Sequence, residues 1–245
     1  MGEMAGVFAR GFLRSGYPVY PVTRDMDIQQ QADLIDDPEL ILIAVAEKDI
    51  QSVLQSIPDQ WKDKLALLQN ELLPNDWQKY QLTPTVISVW FEKKKGQDAK
   101  VLIPSPAYGT KADILVNALN SIDIAARALS SEPELLFELV VKNVYILTTN
   151  IAGLKTGGTV SELWSKHQEL AREVATEVIL LQEKLTGQSF DSAKLIDAML
   201  VAFNGDPDHG CMGRSAPARL ERALVLAKQH QLELPALEKI ADETQ

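Results

Sequence analysis

The residues best placed for chemistry fall in three stretches. Lys142 sits in an otherwise apolar run, with Leu135, Leu136, Leu139, Val140 and Val141 before it and Val144 and Ile146 after. Partial burial lowers the pKa of an ammonium, which makes this amine a candidate acid–base catalyst. Glu138 lies four residues earlier, on the same helical face and in the favourable acid-before-base order. The plain reading of the pair is a helical ion pair worth about 0.3–0.5 kcal/mol. Asn70 follows the apolar run KLALLQ at 64–69, at the carboxyl end of a strand, where open α/β sheets bind ligands. Its plain reading is a turn or capping residue. Near the start, Gly2-x-x-Ala5 matches the last four positions of the dinucleotide-binding pattern G-x-G-x-x-G/A. Gly2, Glu3 and Met4 open a helix with Phe8, Phe12 and Leu13 on its apolar side, and Gly16 ends it. Such a helix N-terminus suits a pyrophosphate. Residues 17–22 read as the next strand. Arg24, just beyond, suits the 2′-phosphate that separates NADP from NAD. Met1 takes the variable position between the first two glycines of the pattern, so its first strand and first glycine are missing from this sequence.

The elements needed to position these groups can be read in order. Residues 39–46, ELILIAVA, form a buried parallel strand, followed by a helix through Val53, Leu54 and Ile57. Residues 64–69 form another strand. VISVWFEKKKGQDAKVLI forms a hairpin that turns at 95–98. A helix over 110–121 and a short strand over 122–126 complete an α/β layer. From Glu132 to Thr186 the pattern is helical, with one break at Gly157-Gly158. Helices follow over 192–203 and 215–242, separated by a turn-rich loop, FNGDPDHGCMGRSAP. The expected fold is thus α/β: a Rossmann-like NADP-binding domain over 1–128, followed by an all-helical domain over 129–245. The sheet is expected to lack its central first strand. The catalytic cleft is expected between the domains.

Composition narrows the partners. The net charge is −10 and the pI about 4.8. This balance argues against general nucleic-acid binding and against an anionic membrane surface. No signal peptide and no unbroken run of about 18 apolar residues is present, so no membrane span is expected. The lone cysteine, Cys211, excludes an internal disulfide and fits a reducing cytoplasm. Asp206, Asp208, His209 and Cys211 match no compact zinc spacing, and no metal is expected. The apolar helical half favours a homodimer.

Taken together, these segments resemble the ketopantoate reductase (2-dehydropantoate 2-reductase) family over nearly the whole chain. The resemblance rests on four features. They are the incomplete fingerprint with Arg24; LILIAVAEKDIQSVL; Gln69-Asn70-Glu71 at the place of a Q-N-G motif; and the order of the helical half, LLFELVVKNVYILTTN, then Thr186-Gly187, Gly213-Arg214 and LELP. It implies NADPH as cofactor, a small 2-keto acid or related carbonyl as substrate, and a 6-phosphogluconate dehydrogenase-like helical domain. The departures fall on the chemistry. Without gaps, Glu138 takes the place of the family's catalytic lysine and Lys142 that of its asparagine. A small shift of register gives Lys142 the lysine role, with Asn143 or Asn150 as polar partner. Glu71 replaces the motif's glycine, and Ser215-Ala216 stands where the family has Thr-Glu. The resemblance thus implies Lys142 and Glu138 as catalytic groups and Asn70 and Asn143 as substrate contacts. Gly2, Glu3, Met4, Arg24 and Asn70 would be the cofactor contacts. The alternative is a degenerate homologue that binds a nucleotide or a partner protein without catalysis. Gly-Glu-Met-Ala is also similar to the opening of pyrroline-5-carboxylate reductases, whose helical half is arranged differently.

Overall fold

A computed structural model describes residues 2–68 and 70–244. The chain forms two compact units, one ending at Leu139 and the other beginning at Val140. The first opens with α1 (Glu3–Arg14) and α2 (Ile28–Leu34), then strand β1 (Ile41–Ile43), α3 (Ile50–Gln55), β2 (Leu65–Leu67), α4 (Asn75–Gln78) and β3 (Thr85–Ile87). A two-stranded hairpin, β4 (Phe91–Glu92) and β5 (Lys100–Val101), leads to β6 (Ser105–Tyr108), α5 (Ala112–Asn120) and β7 (Ala126–Ala128). The main sheet has the order β1-β2-β3-β6-β7. β1, β2 and β3 are parallel, β6 runs antiparallel to β3, and β7 is parallel to β6.

One layer of this unit is decided by α1. Val7 and Phe8 pack with Ala112, Leu115 and Leu119 of α5 over Ala66, Ile87 and Ala107 of the sheet. The two helices cross closely enough that a Cβ on Gly11 would lie 2.5 Å from the Ala118 carbonyl oxygen. That glycine is a packing requirement. The hairpin turns at Gly96, whose φ of +75° is one that side-chain-bearing residues rarely adopt.

Several expectations are corrected here. Residues 17–22 form no strand. In a doubly wound sheet that strand pairs with the one preceding α1, and no such strand exists among the described residues. Pro18 and Pro21 also withdraw two backbone donors. Tyr20 is left 66% exposed, and β1 stands at the edge of the sheet among the described residues. The strand expected over 122–126 begins only at Ala126, because Ser121 to Ile124 make a turn on the end of α5. β6 was hidden in the sequence by Pro104 and Pro106.

The second unit is helical. α6 (Glu132–Thr156) begins in the first unit and continues into the second, followed by α7 (Val160–Lys166), α8 (Gln168–Thr186), α9 (Ser192–Gly205), α10 (Ala216–Gln229) and α11 (Pro235–Thr244). Thr159 and Glu162 form a reciprocal capping box that restarts the chain as α7 after Gly157-Gly158. By length and hydropathy α6 would pass as a membrane span, but 78% of its most apolar window is buried inside the protein. It is a core helix.

Candidate functional site

In the first unit, candidate groups gather at three places. The N-terminus of α1 opens on a cavity of about 260 Å³ lined by Gly2, Glu3, Gly6, Val7, Arg10 and Lys93. Gly2 is the N-cap, and no side chain caps the helix. A Cβ on Gly2 or Gly6 would meet nothing within 4 Å, so backbone is exposed there. Lys93 arrives just after β4. Its Nζ bonds the carbonyls of Lys94 and Gln97 and lies 3.6 Å from the Glu3 carboxylate. Neither Arg10 nor Lys93 was singled out in the sequence; the run Lys93-Lys94-Lys95 reads there only as a turn. Met4 turns inward against the core. Arg24 lies exposed in a turn closed by Met26 N–H to the Thr23 carbonyl.

The second place is the carboxyl end of the parallel strands. Asn70, soon after β2, donates from Nδ2 to Glu47 Oε1 at 3.3 Å, and Glu47 follows β1. Gln69 lies outside the described residues. Glu71 has φ +64°, a left-handed conformation that costs a side-chain-bearing residue roughly 1–2 kcal/mol and suits glycine. The backbone at 71 thus takes a conformation that suits the glycine expected there from the Q-N-G motif.

At the start of α6, Glu138 pairs with Arg127. Burial pushes the Glu138 carboxyl above the usual range, and the guanidinium beside it pulls the other way. Both residues border an open cavity of about 330 Å³ with Leu129, Pro133, Glu134 and Phe137.

In the second unit, every residue from Val140 to Gly153 is buried except Lys142. That half-open amine places Nζ over the Tyr145 ring, 5.6 Å from its centroid. Tyr145 is itself fixed by Phe203 of α9 at 5.7 Å and by His209 at 6.2 Å between ring centres. His209 Nδ1 stands 3.6 Å from Asp206. Asn143 is 2% exposed and donates to Gln182 of α8 at 2.8 Å. Asn150, two turns after Lys142, accepts from Arg219 of α10 at 3.0 Å. The turn-rich loop runs beside α6. Cys211 N–H bonds the Gly158 carbonyl, and a Cβ on Gly153 would sit 2.8 Å from that of Cys211, so glycine is what lets the loop settle. Gly213 then lies above Asn150 Oδ1. Burial pushes the Cys211 thiol up to about 11, which leaves it unreactive at neutral pH. Among the described residues no group of three or more potential ligands could hold a metal ion.

Compared by sequence, the chain matches no family model and no curated protein. Compared by structure, it matches many solved chains. A probable 2-dehydropantoate 2-reductase from Bacillus subtilis superposes with a TM-score of 0.67 at 17% identity, covering 98% of this chain and 95% of the other. D-mandelate dehydrogenase in complex with NADH gives 0.63 at 12%, covering 98% and 94%. A dimeric ketopantoate reductase from Staphylococcus aureus gives 0.58 at 16%, covering 84% and 76%. These superpositions match the architecture of an α/β domain followed by a helical domain. The chain has the fold of the ketopantoate reductases.

Proposed function

We propose that the chain is an NADPH-dependent reductase of the ketopantoate reductase type, acting on a small 2-keto acid or related carbonyl compound. The observation that carries this reading is Lys142, the single half-open position in the buried run of α6 from Val140 to Gly153. The order of motifs in the sequence and the shared fold support it.

The residues at the start of α1 suit a dinucleotide. Exposed backbone N–H groups at an uncapped 12-residue helix favour a pyrophosphate, and Arg10 and Lys93 add positive charge to the same cavity. Arg24 is assigned to the 2′-phosphate, and Asn70 to cofactor and substrate. The nicotinamide, when bound, supplies the hydride that forms the new C–H bond at the carbonyl carbon. Lys142 does the rest: Nζ donates a hydrogen bond to the carbonyl oxygen, passes its proton there as negative charge develops, and regains one from solvent. Glu138, one turn earlier on α6, is assigned to bias the charge near that amine. Asn143 supports the helix through Gln182. A homodimer is in keeping with the dimeric enzyme of the same fold.

The test is NADPH consumption by the purified protein with a panel of 2-keto acids, together with direct titration of NADPH and NADH. Turnover that vanishes in Lys142→Ala while nucleotide binding persists is the expected result. A second reading, a homologue that binds a nucleotide or partner without catalysis, draws on Glu3, whose carboxylate borders the cavity where a phosphate would sit. NADPH binding with no turnover on any keto acid of the panel favours it.

A further inference from the structure

We propose that His209 is a positioning residue for Lys142, acting through the Tyr145 ring, so that the turn-rich loop after α9 serves the reduction without touching its reactants. This deepens the reductase reading and rests on it. Lys142 Nζ lies over the Tyr145 ring. A long, flexible lysine side chain is placed only as well as the surface it rests on. Tyr145 is 3% exposed, and its ring is wedged by two others. Phe203 of α9 meets it edge-on, with 5.7 Å between ring centres and 70° between planes. His209 meets it at 6.2 Å and 45°. Edge-on and tilted contacts of this spacing are the favoured ones between aromatic rings.

The loop is built to hold the imidazole still. The first backbone N–H groups of a helix have no partner within it, and at α7 the loop supplies their acceptors. Val160 N–H bonds the His209 carbonyl at 2.9 Å, and Ser161 N–H bonds the Pro207 carbonyl at 3.2 Å. Thr159 and Gly210 form an isolated antiparallel bridge, and His209 N–H closes a turn on the Asp206 carbonyl at 3.0 Å. The imidazole itself faces the Asp206 carboxylate, 3.6 Å from Nδ1. Asp206 ends α9 and is 4% exposed. Phe203 is braced from the same helix as the loop: Trp164 of α7 packs on it edge-on at 6.3 Å. Both rings that wedge Tyr145 are thus tied to α7, and the amine resting on Tyr145 inherits their order.

The test joins a spectrum to kinetics. The NMR signal of the Lys142 ε-methylene, assigned by its loss in Lys142→Arg, reports the contact directly, because protons over an aromatic face shift upfield. In wild type it should lie upfield of the other lysines. It should move back toward them in His209→Ala and stay in place in His209→Phe, which keeps a ring. With a panel of 2-keto acids, kcat should fall about threefold to tenfold in His209→Ala, with KM for NADPH near wild type, and His209→Phe should recover most of the loss. His209→Gln, a milder removal of the ring, should behave as His209→Ala does and carries the test where the alanine variant folds poorly. A Lys142 signal among the other lysines in wild type overturns the proposal, as does a signal that ignores loss of the ring or a kcat that His209→Phe does not recover. A signal that responds in a protein without turnover removes the reductase reading and leaves the positioning of the amine standing. Turnover with an unresponsive signal does the reverse.

Discussion

The start of α1 and the middle of α6 are specified in opposite ways. At α1 the candidate surface is made by leaving things out: Gly2 and Gly6 carry no side chain, no residue caps the helix, and the charged groups around them, Glu3, Arg10 and Lys93, are exposed or half-exposed. At α6 it is made by packing: close contact fixes every position from Val140 to Gly153, so the one half-open residue among them, Lys142, is singled out. A surface made by omission tolerates change in its neighbours, and here Glu3 stands where an anion would rather not meet it. A position defined by packing has little such freedom.

This contrast can be broken in order of expected effect. Lys142→Ala should cut kcat by about 100-fold or more while leaving the melting temperature and NADPH affinity near wild type; measured turnover within a few fold of wild type would remove α6 from the chemistry. Arg24→Ala should weaken NADPH by about tenfold to a hundredfold and leave NADH unchanged. Equal affinities of the two nucleotides in the wild type would end that role. Gly11→Ala should place a methyl group against the Ala118 carbonyl and cost about 1–3 kcal/mol, a fall of several degrees in thermal unfolding. An unchanged midpoint would mean that α1 and α5 adjust freely and that the first unit is not packed as described. The smallest effect is expected from Glu71→Gly, which relieves a left-handed residue and should raise the midpoint by a degree or two. A fall would show that the Glu71 side chain contributes more than its backbone strain costs.

Much of this architecture was legible in the residues, and the gaps have physical causes. α1, β1, β2, α5 and the helical half follow from apolar periodicity, Gly16 and Gly157-Gly158, because those signals are local. Residues 17–22 misled because their composition favours a strand, but a strand needs a neighbour and local sequence does not say whether one is present. β6 was missed for the reverse reason: two prolines argue against pairing, yet Ser105 to Tyr108 find partners on both sides. At the candidate site, Lys142 stood out as a charge in an apolar run. Its isolation as the half-open position did not, since that depends on helices far away in sequence. Arg219 gave no signal at all: on a helix with Arg222 and Glu221 beside it, it reads as an ordinary surface cation until Asn150 is seen to hold it. Arg10 and Lys93 are likewise united only by the fold, and Arg127, which pairs with Glu138, gave no signal either.

The place of β1 at the end of the sheet among the described residues also bears on how this molecule behaves in a crowded solution. An unpaired strand edge is a template for another backbone, and proteins commonly guard one by shortness and by charge. β1 is three residues long, and acidic residues flank it: Asp36, Asp37 and Glu39 before, of which Asp37 pairs with Lys64 and Glu39 with Lys111, and Glu47 and Asp49 after. The charge guard works only while those carboxylates are ionised. As acidity approaches the pI of about 4.8, like-charge repulsion between molecules fades and shortness alone remains. Self-association through this edge, followed by light scattering, is therefore expected to grow as the pH falls toward that value and to be least well above it.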